Sequence, residues 1–548
     1  CDIKEAQIRH GLHVLGVLPE DSKLNDTLVA LLRLPRGQEA KDQGILHNLA
    51  SDLNLRDEDK AFDPLLADVQ TWHGKRPQIL QDIDSSPWRT NADTRERLEL
   101  LALNMVDGYL IKDGNLKRLE IEYPDTFALL GFAKKQLMPA LDQSAEMEIR
   151  ALMNGLEGHF VEPGPSGAPT RGRLDTLPTG RNFFSVDNRA IPSPAAWAIG
   201  QRSAQAMLER HLQSHGDYPK QLALSVWGTA TMRTGGDDIA QAFALMGVEP
   251  IWATGSSRVI DFKVIGTQML GRPRVDVTLR VSGFFRDAFP NVMKLFDAAV
   301  QAISEIEEPG NQNIIQQNIR RRAKALEAEG LSAAEAHRQA SYRVFGSKPG
   351  AYGAGLQGLI DERCWEKKSD LAEAFLNWGG YAYGQNDSLG QSQQDGVAAK
   401  AAFQYQLSQV EVVAHNQDNR EHDILDSDDY YQFQGGLSNA VEVYGGVAPV
   451  VYHNDHSNPS QPKTRTLKEE LNRVIRSRLL NPKWIKGMRE HGYKGAFEMA
   501  ASVDYMFAYD ATTNLIDDYQ YAMVSDALVF DAENQAFLKE NNPNVLEE

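Results

Sequence analysis

The chain has 548 residues, about three or four domains' worth of polypeptide, and carries 57 Lys and Arg against 75 Asp and Glu, a formal charge of −18. That balance disfavours a nonspecific grip on nucleic acid or anionic lipid, so neither is an expected partner. A hydrophobic fraction of 42% and a charged fraction of 24% are those of an ordinary folded protein and exclude wholesale disorder. Two cysteines, Cys1 and Cys364, cannot build a disulfide framework or a four-thiolate zinc site, which points to a reducing cytoplasm. No apolar run reaches the roughly 18 residues of a spanning helix, and the opening CDIKEAQIRHGL lacks the layout of an export signal. The abrupt start at Cys1 and the unpunctuated end at Glu548 point to a fragment, with sequence missing at both ends.

Residues 1–150 are rich in Leu, Ala and charge at helical spacing and read as a mostly helical region, with an uneven polar insertion over about 52–95. Pro and Gly from Val161 to Arg171 forbid a continuous helix and mark the start of a second domain. Ser193-Pro194 supplies an N-cap and a first-turn proline for a helix whose apolar face runs from Trp197 to Leu212 and ends at Gly216. Leu222, Leu224 and Val226 alternate as a strand, Asp237-Asp238 open a helix closed by Gly247, and Val248 to Ala253 resume extended character, together one βαβ unit. Arg274 to Ser282 read as a further strand, followed by a loop and an amphipathic helix from about Asp287 to Ile306.

Residues 307–345 are polar and helical, helices resume to about 410 after a glycine-rich turn, and more follow from Thr466. The expected fold is α/β and multidomain, a parallel-sheet βαβ core with extensive helical regions. It divides into a helical region (1–150), an α/β core (151–310), a helical region with a Gly-rich loop (311–410), and a polar His/Asp loop segment with C-terminal helices (411–548).

Four segments have the composition of a site. Leu177 to Asp187 places Arg181, Asn182 and two aromatic rings beside a Gly turn, suited either to a flat, carboxylate-bearing ligand or to a structural crossover. Trp227 to Asp238 falls where a strand ends and a helix starts, the usual place of a ligand-binding loop. There Arg233 adds charge, and Asp237 and Asp238 are expected to cap the helix. Arg286 follows the next strand in the same way, so two arginines are expected at one crevice. Gly346 to Gly355 matches neither GxxxxGK[ST] nor GxGxxG, so it reads as a tight loop, with Lys348 and Tyr352 as candidate ligand contacts.

The most polar stretch, His415 to Tyr431, carries two imidazoles and six carboxylates. Such groups suit divalent first-row metals and proton transfer, although a surface loop rich in helix caps uses Asp and Asn as freely. His453-Asn454-Asp455-His456 adds a second polar pair inside a Pro and Ser loop.

The strings EPGPSGAPTRGRLDTLPTGRNFFSVD, WGTATMRTGGDDIAQA, GRPRVDVTLRVSGFFRDAFP, YRVFGSKPGAYGAGLQ and HNQDNREHDILDSDDYYQFQGG occur in this order. Together they resemble the family of cobaltochelatase large subunits of the CobN type, and the resemblance runs from Cys1 to Glu548. Magnesium chelatase large subunits are similar around LPTGRN and at Asn481 to Trp484 and His491 to Tyr493, whereas HNQDNREHD resembles the cobalt branch.

The resemblance implies a tetrapyrrole-binding subunit of a ligase forming nitrogen–metal bonds, which inserts Co²⁺ into hydrogenobyrinic acid a,c-diamide during aerobic cobalamin synthesis. ATP and Mg²⁺ would be used by separate AAA+ partner and adaptor subunits, in keeping with the missing nucleotide loop. It also implies an HGxLEWLPGK-like segment upstream of Cys1, bearing a glutamate that matters for chelation, which this chain does not contain. Carried onto these positions, His415, Glu421 and His422 are expected to deliver metal or accept protons, with His415 and His422 as metal ligands. Arg181, Asn182, Arg233, Arg286, Lys348 and Tyr352 are expected to orient the ring's peripheral groups. Magnesium insertion into protoporphyrin and a non-catalytic corrinoid carrier are the alternatives.

Overall fold

The computed structural model describes residues 15–18, 21–37, 39–57, 60–67, 70–112, 114–184, 186–384, 396–419, 422–459 and 461–546. Eight strands form the main sheet: β1 (Gln221–Val226), β2 (Asp276–Val281), β3 (Val344–Gly346), β4 (Tyr381–Ala382), β5 (Val397–Ala398), β6 (Val412–Gln417), β7 (Val450–Asp455) and β8 (Lys463–Thr466). Their order is β5-β4-β3-β2-β1-β6-β7-β8. The five central strands β3-β2-β1-β6-β7 run parallel, and β4, β5 and β8 extend the edges antiparallel. The expected parallel core is therefore present. Its strands come from three stretches of chain, residues 221–281, 344–398 and 412–466.

Both faces of the sheet are covered, as an all-parallel centre requires. On one face, helices α1 (Pro194–His215), α3 (Asp237–Met246) and α5 (Pro290–Ser304) pack on Leu222, Leu224, Val277, Leu279, Val412 and Ala414. Helix α2 (Gly228–Thr234) follows β1 directly, and α4 (Gly283–Ala288) follows β2. On the other face, α6 (Lys368–Gly379), α7 (Lys400–Leu407), α8 (Gly436–Gly445), α9 (Leu467–Ser477) and α10 (Gly492–Thr513) enclose Ala223, Phe345, Val413 and Val451. Helices within residues 21–156 bury a separate core that includes Leu32, Leu46, Leu98 and Leu130.

Helix α1 begins as its sequence dictates: the Ser193 hydroxyl accepts from the Ala196 N–H at 3.1 Å, Pro194 occupies the first turn, and Gly216 closes the helix at φ +80°. The helix after β2 starts earlier than its apolar periodicity indicates. Ser282 caps α4 at once by accepting from Phe285 N–H at 3.2 Å, and Pro290 then opens α5.

Three expectations are corrected. Val248–Trp252 does not complete a parallel βαβ unit; it pairs antiparallel with Val259–Val264 in a ribbon outside the main sheet. Pro250, at its centre, has no N–H to give a ladder, and Ile251 and Ile260 are exposed. The polar runs beginning at His415 and His453 are not loops, because His415–Gln417 and His453–Asp455 lie in buried β6 and β7. Asp237 and Asp238 do not cap α3, whose N-cap is Gly236; both are buried and bonded elsewhere.

Helices α1 and α3 cross at Gly200, where a Cβ would stand 2.5 Å from both the Ala240 Cβ and the Gln241 N. Gly200→Ala is expected to force these helices apart at a cost of about 1–3 kcal/mol. The effect reads out as a lower urea midpoint with the m-value unchanged.

Candidate functional site

Strand order reverses between β1 and β6. Connections from β1 run through helices on one face toward β2 and β3, while the connection from β6 to β7 runs through α8 on the other face. Loops leaving the carboxyl ends of β1 and β6 therefore part, and the crevice between them is where open α/β sheets bind ligands.

Trp227 leaves β1 at this point, and its indole N–H donates to His415 Nε2 of β6 at 2.9 Å. Indole can only donate, so His415 Nε2 is the acceptor and the proton of the neutral ring resides on Nδ1. Burial drives the His415 pKa well below its usual value, assisted by the neighbouring His453, so the ring stays neutral. Tyr430 lies edge-on to both rings, with centroids 6.0 Å from Trp227 and 5.5 Å from His415, and burial pushes its phenol up to about 12.

Above this aromatic wall Arg233 of α2 forks onto Asp418, Nε to Oδ2 at 2.8 Å and NH2 to Oδ1 at 2.9 Å, with the Arg233 side chain 45% exposed. Burial alone raises the Asp418 pKa, but the hydrogen bonds and charge of Arg233, with the charge of Arg171, overcome it and hold the carboxylate below its ordinary range. Arg171 reaches in from the Pro/Gly segment and donates to Asp418 O (2.7 Å), His456 O (2.6 Å) and Asp237 Oδ2 (2.9 Å). It thereby ties the ends of β6 and β7 to the start of α3.

Beneath it runs a buried polar seam. Asn416 Nδ2 donates to Asp238 Oδ1 (2.8 Å) and Gln241 Oε1 (2.7 Å), and Asn416 Oδ1 accepts from Asn454 (2.8 Å). Gln241 and His456 both bond the Ser203 hydroxyl, at 3.0 and 2.7 Å. Burial is the main reason that the Asp238 pKa is raised, to about 7; the charges of Asp237 and Asp418 add to it, against the Asn416 hydrogen bond and His456.

A second group of expected residues gathers at the ends of β2 and β3. Arg286 is buried, and its donors are engaged by Asp287 (2.7 and 2.8 Å) and by Ser347 O, Lys348 O and Ala351 O. It clamps the glycine-rich loop rather than facing a ligand. That loop presents Lys348 in the open and Tyr352, 59% exposed, whose hydroxyl donates to Asp287 at 2.7 Å. The two groups adjoin, because Gly228 N–H donates to Ser282 Oγ at 3.2 Å where α2 and α4 begin.

The remaining expected residues lie apart or beyond description. Arg181 bonds Pro178 O and Asp175 O, both at 3.0 Å, within its own loop. That loop packs on the Met138–Leu156 helix through Thr179 N–H and Ser144 Oγ (3.1 Å). Asn182 is exposed in a short ribbon with Pro163–Pro165. His422 is exposed, its carbonyl bonded by Gln417 Nε2, and its ring is not brought to His415. Glu421 lies outside the described residues. Among the described residues no three His, Cys, Asp or Glu side chains converge on a metal position, and no helix is long and apolar enough to cross a membrane.

Trp227 and Arg171 are not marked as site residues by composition, and Asp418 and His456 are marked only as members of polar stretches. Only the position of Trp227, one residue past a strand, signals its role.

A doubly wound α/β protein, with a candidate crevice at the switch point of its sheet, is the class defined by this geometry. The chain belongs to the CobN/Magnesium Chelatase family, whose pattern it matches over residues 1–548. It is 56% identical to the aerobic cobaltochelatase subunit CobN of Pseudomonas aeruginosa and 51% identical to that of a Sinorhizobium species, in each case over 100% of this chain and 43% of the relative. Similarity to a magnesium-chelatase subunit of Chlorobaculum parvum is 32% over 74% of this chain and 31% of that protein. The catalytic subunit of cobaltochelatase from Mycobacterium tuberculosis superposes with a TM-score of 0.70 at 39% identity, covering 98% of this chain and 42% of that one. The chain thus spans about two fifths of the length of these cobaltochelatase relatives.

The raised Asp238 pKa has a consequence for stability. A carboxyl that is easier to protonate folded than unfolded stabilises the fold below its unfolded pKa near 3.8, and this contribution is lost as pH rises through about 7. Wild-type stability should therefore fall across that window relative to Asp238→Asn, by about 4 kcal/mol at most. Urea titrations of both proteins from pH 4 to 8 measure the difference.

Proposed function

We propose that this chain is the tetrapyrrole-holding portion of an ATP-dependent cobaltochelatase large subunit, a ligase that inserts Co²⁺ into hydrogenobyrinic acid a,c-diamide in aerobic cobalamin synthesis. ATP and Mg²⁺ are used by AAA+ partner subunits, with an adaptor, and not by this chain. The single observation that carries the reading is that His415 and Asp418, in the string resembling the cobalt branch, bond Trp227 and Arg233 across the switch point between β1 and β6. Its higher identity to cobaltochelatase than to magnesium chelatase subunits supports cobalt over magnesium.

Metal insertion strips water from Co²⁺, opens the macrocycle and removes the proton carried by its ring nitrogens. Indole and phenol rings at the crevice wall suit a flat macrocycle, and the exposed side chains of Arg233 and Lys348 suit its acidic groups. Arg286 acts one step back, by holding the loop that carries Lys348 and Tyr352. Arg181 and Asn182 line a neighbouring loop and would meet only the rim of a large ligand. His415, with Nε2 engaged by Trp227, orients the wall, while the exposed His422 is open to incoming Co²⁺, and Glu421 keeps the metal-delivering or proton-accepting role expected from the sequence.

Absorbance titration of this chain with hydrogenobyrinic acid a,c-diamide should give a saturable spectral shift, weakened about tenfold or more in Arg233→Ala, since a charge-assisted bond contributes roughly 1.5–3 kcal/mol. No shift at high protein concentration contradicts the reading. Tighter binding of protoporphyrin would assign the chain to the magnesium branch. In the complete subunit with its ATPase partners, full chelation by His422→Ala at normal affinity would leave it a carrier.

A further inference from the structure

A line of buried polar side chains crosses the sheet beneath the crevice wall. Ser225 of β1 and Arg280 of β2 are direct cross-strand partners, and Arg280 is in turn paired with Phe345 of β3. His415 stands next in line on β6, one residue past the Leu224–Ala414 pair, and is paired with His453 of β7. Alternation places all of these on the face that carries Ala223, Val413 and Val451. Arg280, Ser225, His415 and His453 are all wholly buried.

The line is chemically incomplete. Arg280 spends one N–H on Val281 O at 2.6 Å, while its Nε and NH2 have no hydrogen-bond partner among the described residues. The Ser225 hydroxyl and His415 Nδ1 also lack one, and the Trp227 bond makes His415 Nδ1 a donor. Neighbouring strands stand about 4.8 Å apart, so these unmet donors are neighbours along one line.

No acidic side chain among the described residues forms an ion pair with Arg280; its guanidinium lies over the rings of Phe433 (4.8 Å) and Phe375 (5.3 Å). Burial lowers its pKa only to about 9, so it remains a cation at neutral pH. An unpaired buried cation beside unmet donors is costly, and an apolar residue of equal size would serve a purely structural role better.

We propose that Arg280, Ser225 and His415 form a receptor for a carboxylate, shut in this conformation beneath Tyr430–Gln434. The cover fits that role. Tyr431–Gly435 is a single wide π turn, a form common at functional sites, and Gln434 within it has its own buried Nε2 unmet. Tyr430 and the half-buried Trp227 stand between the line and the crevice. The identity of the ligand rests on the proposed function: the carboxylate is an acidic side chain of the macrocycle, and outward displacement of the turn admits it. The line of donors itself follows from the sheet alone.

The test uses Arg280→Met and the milder Ser225→Ala, with three probes: hydrogenobyrinic acid a,c-diamide, the same macrocycle with every carboxylate amidated, and sodium acetate. Arg280→Met should melt at or above the wild-type temperature yet bind the carboxylate macrocycle at least thirtyfold more weakly, with affinity for the amidated one unchanged. Ser225→Ala should weaken the carboxylate macrocycle threefold to tenfold and decides the matter if Arg280→Met does not fold. A fall in Tm for Arg280→Met with Ser225→Ala binding as wild type, or equal affinity of all three proteins for the carboxylate macrocycle, overturns the proposal. If wild type binds neither macrocycle, the proposed function fails instead. Acetate then decides this site, supporting it by raising the wild-type Tm but not that of Arg280→Met, and overturning it by raising neither.

Discussion

The hydrogen bond from Trp227 to His415 joins the two strands at which the sheet reverses its winding. Parallel strands joined by right-handed crossovers can be added on either side of a starting strand, but where the direction changes no connection covers the strand ends. The chain must then supply side chains to close that gap. It does so with an indole, a phenol and an imidazole on one side and with the Arg171–Asp237–Asp418–Arg233 set above them. Geometry of the crevice, protonation of His415 and the exposure of Arg233 all follow from that closure.

The polar character of this region is held by packing. Asn416, Asn454, Asp238, Gln241, Ser203 and His456 satisfy one another between the sheet and helices α1 and α3. A network of that kind fixes one register of β6 against β7, because a slip by one residue would bury its members against apolar neighbours. The opposite face carries the line with unmet donors. One face thus fixes the structure while the other leaves donors of Ser225, Arg280 and His415 unmet among the described residues.

Legibility in the sequence followed burial of apolar groups. Strands β1 and β2 and helix α1 declare themselves through alternating or 3.6-spaced apolar residues with clear caps, and all are present. Strands β6 and β7 did not, because His415–Gln417 and His453–Asp455 are polar residues buried through pairing with one another, which leaves no apolar alternation to read. Asp237 and Asp238 misled for the same reason: helix-start aspartates are ordinarily caps, and only the approach of Arg171 and Asn416 from distant segments makes them part of the interior. Strand-end position put Arg233 after β1 and Arg286 after β2, but the two do not converge on one crevice as expected: Arg233 pairs with Asp418, and Arg286 is buried against Asp287 and the glycine-rich loop. Position could not tell an arginine with an exposed side chain from one buried and consumed by backbone carbonyls.

The most direct measurement is a crystal structure of this chain with hydrogenobyrinic acid a,c-diamide bound. The account predicts the macrocycle at the carboxyl ends of β1 and β6, in contact with Trp227 or Tyr430 and with an acidic side chain near Arg233. A macrocycle seated elsewhere, for instance on the Met138–Leu156 helix with the switch-point crevice unchanged, would contradict it.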